Sequence, residues 1–139
     1  MGYHRKVNLQ QHGDNRGSLV AIETLKDIPF QVNRVYYLFN TLIDESRGFH
    51  AHKNLEQLLV CVSGTCDLKV ENNEGETLYK LNSPIEGVYI KDLVWREMHN
   101  FSKDCVLLVL ASNSYSEEDY IRDYDEFKRR CLNEKHTSS

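Results

Sequence analysis

Short runs of strand-forming residues, separated by polar turns, recur along most of this chain. The clearest are "SLVAIE", "RVYYLFN", "EQLLVCVSG", "TCDLKVEN", "EGVYIKDLVW" and "CVLLVLAS". Each is rich in Val, Leu, Ile or Tyr, which favour strands. The segment "ENNEGET" between two of the runs is typical of a hairpin turn, because Asn and Gly tolerate a positive φ. Evenly spaced short strands of this kind predict an all-β sandwich or barrel.

The spacing of apolar residues changes near the C-terminus. Ser116 and Asp119 resemble an N-terminal capping pattern, and large side chains then follow at helical spacings from Tyr120 to Cys131. Acidic residues crowd the start of this segment and basic residues its end, as the helix dipole favours. We predict a helix over residues 116–132 that packs on the barrel or on a second subunit.

The size and composition of the chain predict one cytoplasmic domain. Its 139 residues suffice for a single compact core, so residues 1–139 are one domain with the barrel over about 7–112. No run matches a transmembrane helix or a signal peptide, and the four cysteines lack CxxC spacing, which favours free thiols in a reducing compartment. The net charge of −4 argues against nucleic-acid binding, and we expect no membrane partner.

The segment "RGFHAHK" (residues 47–53) carries the most distinctive pattern. In a strand, His50 and His52 share one face, because side chains alternate. The string G-x-H-x-H-x(3)-E-x(7)-G over residues 48–64, with Glu56 as its acid, nearly matches the first motif of the cupins. This resemblance implies a double-stranded β-helix, or jelly-roll, barrel.

Many cupins bind Fe, Mn or Zn through the two histidines, the glutamate and a third histidine on a later strand. In "GVYIKDLVWREMHN", Arg96 stands where the metal-binding members carry that histidine. A guanidinium has no lone pair to donate to a metal, and His99 would lie on the other strand face. We therefore expect no metal. Two imidazoles on one face suit proton transfer, although they could also be polar residues without a catalytic role.

Over about residues 7–130 the chain resembles the sugar nucleotide 3,4-ketoisomerases. The similar strings are "RGSLVAIE", "IPFQVNRVYYLFN", "RGFHAHKNLEQLLVCVSG", "VWREMHNF", "CVLLVLAS" and "EEDYIRDYDEFK". The resemblance implies a cupin without metal or other cofactor, and a homodimer whose subunits exchange a β-strand. It implies conversion of dTDP-4-keto-6-deoxy-D-glucose to a dTDP-3-keto-6-deoxyhexose, which supplies 3-amino deoxysugars for lipopolysaccharide or other surface glycans.

The implied reaction moves a proton from C3 to C4 of the sugar through an enediol. It requires a base, a proton shuttle between the two oxygens, and donors that stabilise negative oxygen. By resemblance, His52 is expected to be the base and His50 the shuttle, although the two roles could be exchanged. Arg47 and Tyr36 are expected to complete the catalytic site. The expected substrate-binding residues are Arg16, Arg34, Tyr37, Arg96 and Glu97.

Two of these positions bear on the configuration of the product. By resemblance, galacto-forming relatives pair "RGSL" with "VWHEM", whereas gluco-forming relatives carry Tyr in the first string and "VWREM" in the second. This chain combines Arg16 with Arg96 and so mixes the two patterns. The similarity of "RGSLVAIE" and "RGFHAH" favours the galacto product. Arg34 is expected to bind the pyrophosphate or, alternatively, to form a salt bridge at the rim.

Three other functions stay open at this point. A jelly-roll nucleotide-sugar epimerase would pair a histidine with a carboxylate such as Asp92 or Glu97, and would incorporate solvent deuterium at C5. A metal-dependent cupin enzyme would contain stoichiometric metal. A non-catalytic sugar-binding cupin would bind a dTDP-sugar without turning it over.

Overall fold

The computed structural model describes residues 1–137, which form two antiparallel sheets, a separate hairpin and a C-terminal helix. The elements are β1 (Tyr3–Asn8), β2 (Gln11–Asp14), β3 (Gly17–Val20), β4 (Arg34–Leu38), β5 (Arg47–His52), β6 (Glu56–Ser63), β7 (Cys66–Asn72), β8 (Gly75–Leu81), β9 (Glu86–Lys91), β10 (Trp95–His99), β11 (Val106–Ala111), β12 (Tyr120–Ile121) and α1 (Tyr124–Thr137), with a 3₁₀ turn at Glu117–Asp119. Among these residues, no helix has the length and apolar character needed to cross a membrane.

The strand order makes a jelly-roll barrel. One sheet has the order β1-β9-β6-β11-β4 and the other β12-β5-β10-β7-β8, while β2 and β3 form a separate two-stranded sheet. The all-β cupin barrel with a C-terminal helix that the sequence predicts is therefore confirmed. The two sheets face each other, so that side chains from both reach the space between them.

The continuous apolar run in β6 reflects burial on both of its faces. Leu59 belongs to the main core between the sheets. Leu58 and Val60, on the opposite face, pack with Phe30 and Tyr89 in a second core cluster. A strand covered on both sides needs no polar face, which is why this run lacks the alternation of a half-exposed strand.

The C-terminal helix begins eight residues later than the predicted start at residue 116, since α1 spans Tyr124–Thr137. Tyr120 and Ile121 instead pair with β5, and Ile121 is buried. The true cap is Asp123, whose Oδ1 accepts the backbone N–H of Asp125 at 2.8 Å. Spacing alone could not separate a helix from a short strand followed by a capped helix.

The helix packs on the barrel, which is one of the two positions that the sequence analysis predicts. Phe127 and Cys131 are buried against Trp95 and Ala51, on the outer face of β5 and β10. The inner face of the same two strands carries the residues of the candidate site. Packing of α1 therefore supports the strands that hold the site.

A bulge in β5 changes the direction of its side chains. Phe49 has a φ of 58° and Gly48 a φ of 91°, and the register with β10 shifts between Arg96 and Glu97. A Cβ on Gly48 would lie 2.9 Å from the Arg96 carbonyl oxygen, so glycine is needed here. The extra residue lets Arg47 and His50, three positions apart, face the same side.

Candidate active site

A cavity of about 360 Å³ opens between the two sheets. Apolar side chains of β6, β10 and β11 form part of its wall. Its polar side chains come from both sheets and include Arg34, Tyr36, Arg47, His50, Gln57 and Arg96. The structure therefore brings together three of the four predicted catalytic residues and two of the predicted substrate-binding arginines around one cavity.

The fourth predicted catalytic residue, His52, lies directly behind His50. The centroids of the two imidazole rings are 5.0 Å apart and the rings are nearly perpendicular. His50 faces the cavity, whereas His52 is only 1% exposed. The prediction that both rings lie on one strand face is confirmed, and their unequal depth is a feature that strand periodicity does not reveal.

Burial and a neighbouring cation keep both imidazoles neutral. Desolvation, and secondly the charge of Arg96, lower the pKa of His50 to about 4. The same two causes lower the pKa of His52 further still, with an added contribution from His50. A neutral imidazole carries a free lone pair and can accept a proton at physiological pH.

Asp119 fixes the orientation of His52. Its Oδ2 accepts a hydrogen bond from Nδ1 of His52 at 2.9 Å, and its Oδ1 accepts the backbone N–H of Asn54 at 2.8 Å. Because a carboxylate only accepts, Nδ1 carries the proton of the neutral ring and Nε2 keeps a lone pair. That Nε2 is buried without a hydrogen-bond partner among the described residues.

A second hydrogen-bonded group crosses the cavity wall from β10 to β4. Arg96, which is 2% exposed, donates to the Val94 carbonyl oxygen at 3.1 Å and to Oε1 of Gln57. Gln57 in turn donates from Nε2 to the Tyr36 hydroxyl at 3.1 Å. Burial lowers the pKa of Arg96 to about 10, which leaves its guanidinium charged at neutral pH.

The predicted acidic member of the cupin motif does not reach this cavity. Glu56 lies on the opposite face of β6, where its Oε1 accepts the Tyr89 hydroxyl at 2.5 Å. The next residue, Gln57, faces inward beside Arg96. The two histidines are thus accompanied by an amide and a cation. The guanidinium disfavours a divalent metal, because it donates no lone pair and its charge repels a cation.

Arginine and tyrosine side chains line the mouth of the cavity. The Arg122 guanidinium lies 4.3 Å from the ring centroid of Tyr120 and pairs with Glu117 at 2.7 Å. Arg34 lies over the rings of Tyr36 and Tyr115, and it forms no ion pair within residues 1–137. The salt-bridge alternative for Arg34 is therefore not found in the part of the chain that the structure describes.

Three cavity residues, Tyr115, Tyr120 and Arg122, were not selected from the sequence. They lie in or beside the segment assigned to the helix, as does Asp119. Their contribution depends on the pairing of β12 with β5, which sets Tyr120 opposite His52. No local sequence pattern marks that pairing.

Three predicted substrate-binding residues lie outside this cavity. Tyr37 is exposed on the outer face of β4, because alternation turns it away from Tyr36. Glu97 faces outward for the same reason and accepts hydrogen bonds from Trp95 and His99. Arg16 lies at the tip of the β2–β3 hairpin, paired with Asp14. In the structure of residues 1–137, these three side chains do not contribute to the cavity wall.

Together the fold and the cavity define a cupin whose site is suited to acid–base chemistry on an anionic ligand. A family model described as "FdtA: WxcM-like, C-terminal" matches residues 3–131. The TDP-4-oxo-6-deoxy-alpha-D-glucose-3,4-oxoisomerase of Aneurinibacillus thermoaerophilus is 52% identical over 126 residues, which is 91% of each chain. The chain therefore belongs to this family, and the resemblance to sugar 3,4-ketoisomerases is confirmed.

Solved structures agree with this assignment. A 3,4-ketoisomerase from Helicobacter canadensis is 46% identical with a TM-score of 0.90, over 93% of this chain and 97% of that chain. A variant of the 3,4-ketoisomerase QdtA from Thermoanaerobacterium thermosaccharolyticum, in complex with TDP-4-keto-6-deoxyglucose, is 41% identical with a TM-score of 0.91, over 94% of each chain.

Proposed function

We propose that this protein converts dTDP-4-keto-6-deoxyglucose to the dTDP-3-keto sugar in the cytoplasm, without a metal or other cofactor. The observation that carries the proposal is the pair of adjacent imidazoles, with His50 lining the cavity and His52 buried next to it, beside the buried Arg96. Two relatives support the choice of substrate, one named as the isomerase of this sugar and one in complex with it. Moving a ketone from C4 to C3 is redox-neutral, so proton transfer alone completes it.

Of the two assignments left open for the histidines, we favour His50 as the base at C3. His50 faces the cavity, and its pKa is lowered to about 4, so its imidazole is neutral above that pH. His52, held by Asp119 directly behind it, is then the proposed shuttle, since its Nε2 has a lone pair without a partner. This assignment reverses the expectation from the resemblance, because the His50 ring faces the cavity whereas the His52 ring is buried more deeply.

The enediolate that forms between the two steps carries negative charge on an oxygen. The buried guanidinium of Arg96 and the hydroxyl of Tyr36 line the same cavity and are the proposed stabilising groups. Charge in such a site acts through a medium of low polarity and is worth far more than in water. Arg47 is proposed to contact the sugar, and Arg34 and Arg122 the diphosphate at the cavity mouth.

The test is incubation with the 4-keto substrate in D₂O, followed by NMR. We expect a 3-keto product with deuterium at C4 and, following the sequence strings, the galacto configuration. His50→Asn should lose both product and C3 deuterium exchange by 10²-fold or more, on the order expected for a general base. His52→Asn should lose product yet retain C3 exchange.

The control is His99→Asn, which changes a histidine on the outer strand face and should leave turnover within a few-fold. The opposite pattern of C3 exchange in the two variants would reverse their roles. Deuterium at C5, or binding of the sugar without turnover by the unaltered protein, would contradict the proposed function.

We also propose that the protein is a homodimer whose subunits exchange a β-strand. Within residues 1–137 the outer edge of β4 pairs with no strand, and Val35, Tyr37 and the following Phe39 expose apolar side chains beside it. The β2–β3 hairpin is mostly exposed and pairs only with itself, although an isolated two-stranded hairpin is marginally stable in water. A second copy would cover both features, and would give Arg16 a site to contact in its partner.

A further inference from the structure

We propose that Gln57 is a positioning residue that makes the Tyr36 hydroxyl a hydrogen-bond donor toward the substrate oxygen. The inference rests on the proposed function and deepens it. Gln57 lies at the centre of the cavity wall, 1% exposed, and contacts both a buried cation and a cavity tyrosine. No sequence motif pointed to this residue, because the cupin motif directs attention to Glu56.

The direction of the hydrogen bonds follows from the chemistry of Arg96. A guanidinium has five N–H donors and no acceptor, so the group that meets it must accept. The Gln57 side chain must therefore turn its carbonyl oxygen toward Arg96, which leaves its NH₂ group to face Tyr36. The amide can act only as a donor there, at the observed 3.1 Å.

The orientation of the Gln57 amide determines the hydrogen-bonding role of the Tyr36 hydroxyl. Its oxygen accepts the Gln57 N–H, so its own proton is not used in that bond and can point into the cavity that Tyr36 lines. Burial raises the pKa of Tyr36, while Arg96 and Gln57 act in the opposite direction, so the group stays protonated at neutral pH. A protonated hydroxyl held in this orientation can donate to a carbonyl oxygen that becomes an enediolate.

The neighbouring residue provides an internal comparison. Glu56 and Gln57 lie on opposite faces of β6, and each meets a tyrosine. Tyr89 donates its proton to the Glu56 carboxylate, which raises the Tyr89 pKa in addition to the effect of burial. At Tyr36 the bond runs the other way, from the amide to the hydroxyl. A carboxylate at position 57 would thus be expected to reverse the bond and capture the Tyr36 proton.

The experiment compares Gln57→Glu with Gln57→Met. In Gln57→Glu the carboxylate keeps its pairing with Arg96 but accepts from Tyr36, so we expect kcat to fall by about 10²-fold with KM within a few-fold. Gln57→Met removes both hydrogen bonds yet leaves the hydroxyl free to donate, so its loss should be smaller. A purely structural role predicts the reverse order, because Gln57→Met removes the side-chain acceptor of the buried Arg96 and leaves it only the Val94 carbonyl oxygen among the described residues.

A double variant tests whether the effect passes through Tyr36. The kcat of Tyr36→Phe should fall as far as the kcat of Gln57→Glu. The kcat of the double variant Tyr36→Phe/Gln57→Glu should be no lower than that of either single variant. Glu56→Gln, on the outer face, is the matched control and should retain full kcat. Additive losses, or an unchanged kcat in Gln57→Glu, would overturn the inference.

A measurement without substrate separates this inference from the proposed function. With ¹³Cζ-labelled tyrosine, the Tyr36 resonance, identified by its loss in Tyr36→Phe, should move in Gln57→Glu toward the position of Tyr89. An unmoved resonance would overturn the role of Gln57 even if the enzyme is active. An unaltered protein that fails to isomerise the 4-keto sugar would overturn the proposed function, and the resonance would still report the direction of the bond.

Discussion

Two identical side chains, two residues apart in one strand, acquire different properties in this protein. His50 faces the cavity, whereas His52 is enclosed and bonded to Asp119. Both imidazoles have a lowered pKa because they share burial and the charge of Arg96. Burial and the charge of Arg96 thus keep both histidines in the form that accepts protons.

The lowered pKa of His50 predicts an unusual pH dependence of turnover. A histidine with an ordinary pKa near 6.5 would lose its basic form, and the enzyme its rate, below that pH. With a pKa of about 4, the His50 imidazole remains neutral through pH 6.5 and 5.5. We therefore expect kcat/KM to stay flat from pH 7.5 to about 5 and to fall only below that, as measured from initial rates.

Folding stability, unlike turnover, should already fall at the higher pH values of this range, and its measurement provides the control for the rate profile. Between about pH 6.5 and 4 the unfolded chain binds protons at His50 that the folded chain does not, so folding stability falls as the pH drops through this window. Circular dichroism at each pH separates unfolding from loss of the base. A decline in rate centred near pH 6.5, with the protein still folded, would contradict the assignment of His50.

At the scale of the element, the bulge in β5 is what assembles the site. In a regular strand without a bulge, Arg47 and His50 are three positions apart and would face opposite sides; the bulge at Phe49 turns them to the same side. The sequence string "RGFHAH" contains the glycine that the bulge requires, but not the register that shows where the extra residue lies. That register depends on the pairing of β5 with β10.

The helix α1 supports the reverse side of the same strands, and a core substitution should reveal this. Phe127 is fully buried against Trp95 and Ala51. We expect Phe127→Ala to lower the free energy of unfolding by about 3–5 kcal/mol, the usual cost of removing a buried phenylalanine. Urea titration at neutral pH measures this loss.

The matched control on the same helix is Leu132→Ala, since Leu132 is 56% exposed. It should change the free energy of unfolding by less than about 0.5 kcal/mol. Equal effects of the two substitutions would mean that α1 does not pack on the barrel through the Phe127 face.

At the scale of the whole molecule, the uncovered edge of β4 predicts how the subunits meet. A charge at Val35, which is 55% exposed, would be buried in the proposed dimer, and burying an unpaired charge is costly. We expect Val35→Glu to shift the protein from dimer to monomer in sedimentation experiments. Leu132→Glu, with the same exposure on α1, should leave the dimer intact.

A monomeric unaltered protein would contradict this proposal, as would a Val35→Glu protein that stays dimeric. Activity provides a second readout. If the partner's hairpin reaches the cavity, the monomeric variant should also lose turnover, even though the residues of its own cavity are unchanged.

The sequence by itself determined the fold class and most of the chemistry. Alternating apolar runs predict strands because a sheet buries one face, and the HxH string predicts two imidazoles on one strand face. These inferences succeed because they depend on residue type and on a periodicity of two along one strand.

Only the tertiary structure decided which neighbours those residues meet. It placed Asp119 beside His52 and Gln57 beside Arg96. It turned three predicted side chains away from the cavity: Tyr37, Glu97 and Glu56. It also began the helix at Tyr124 instead of residue 116. The physical reason is that these contacts join positions far apart in the chain, through strand registers and a bulge. Register is set by the packing of whole sheets, which a local pattern does not contain.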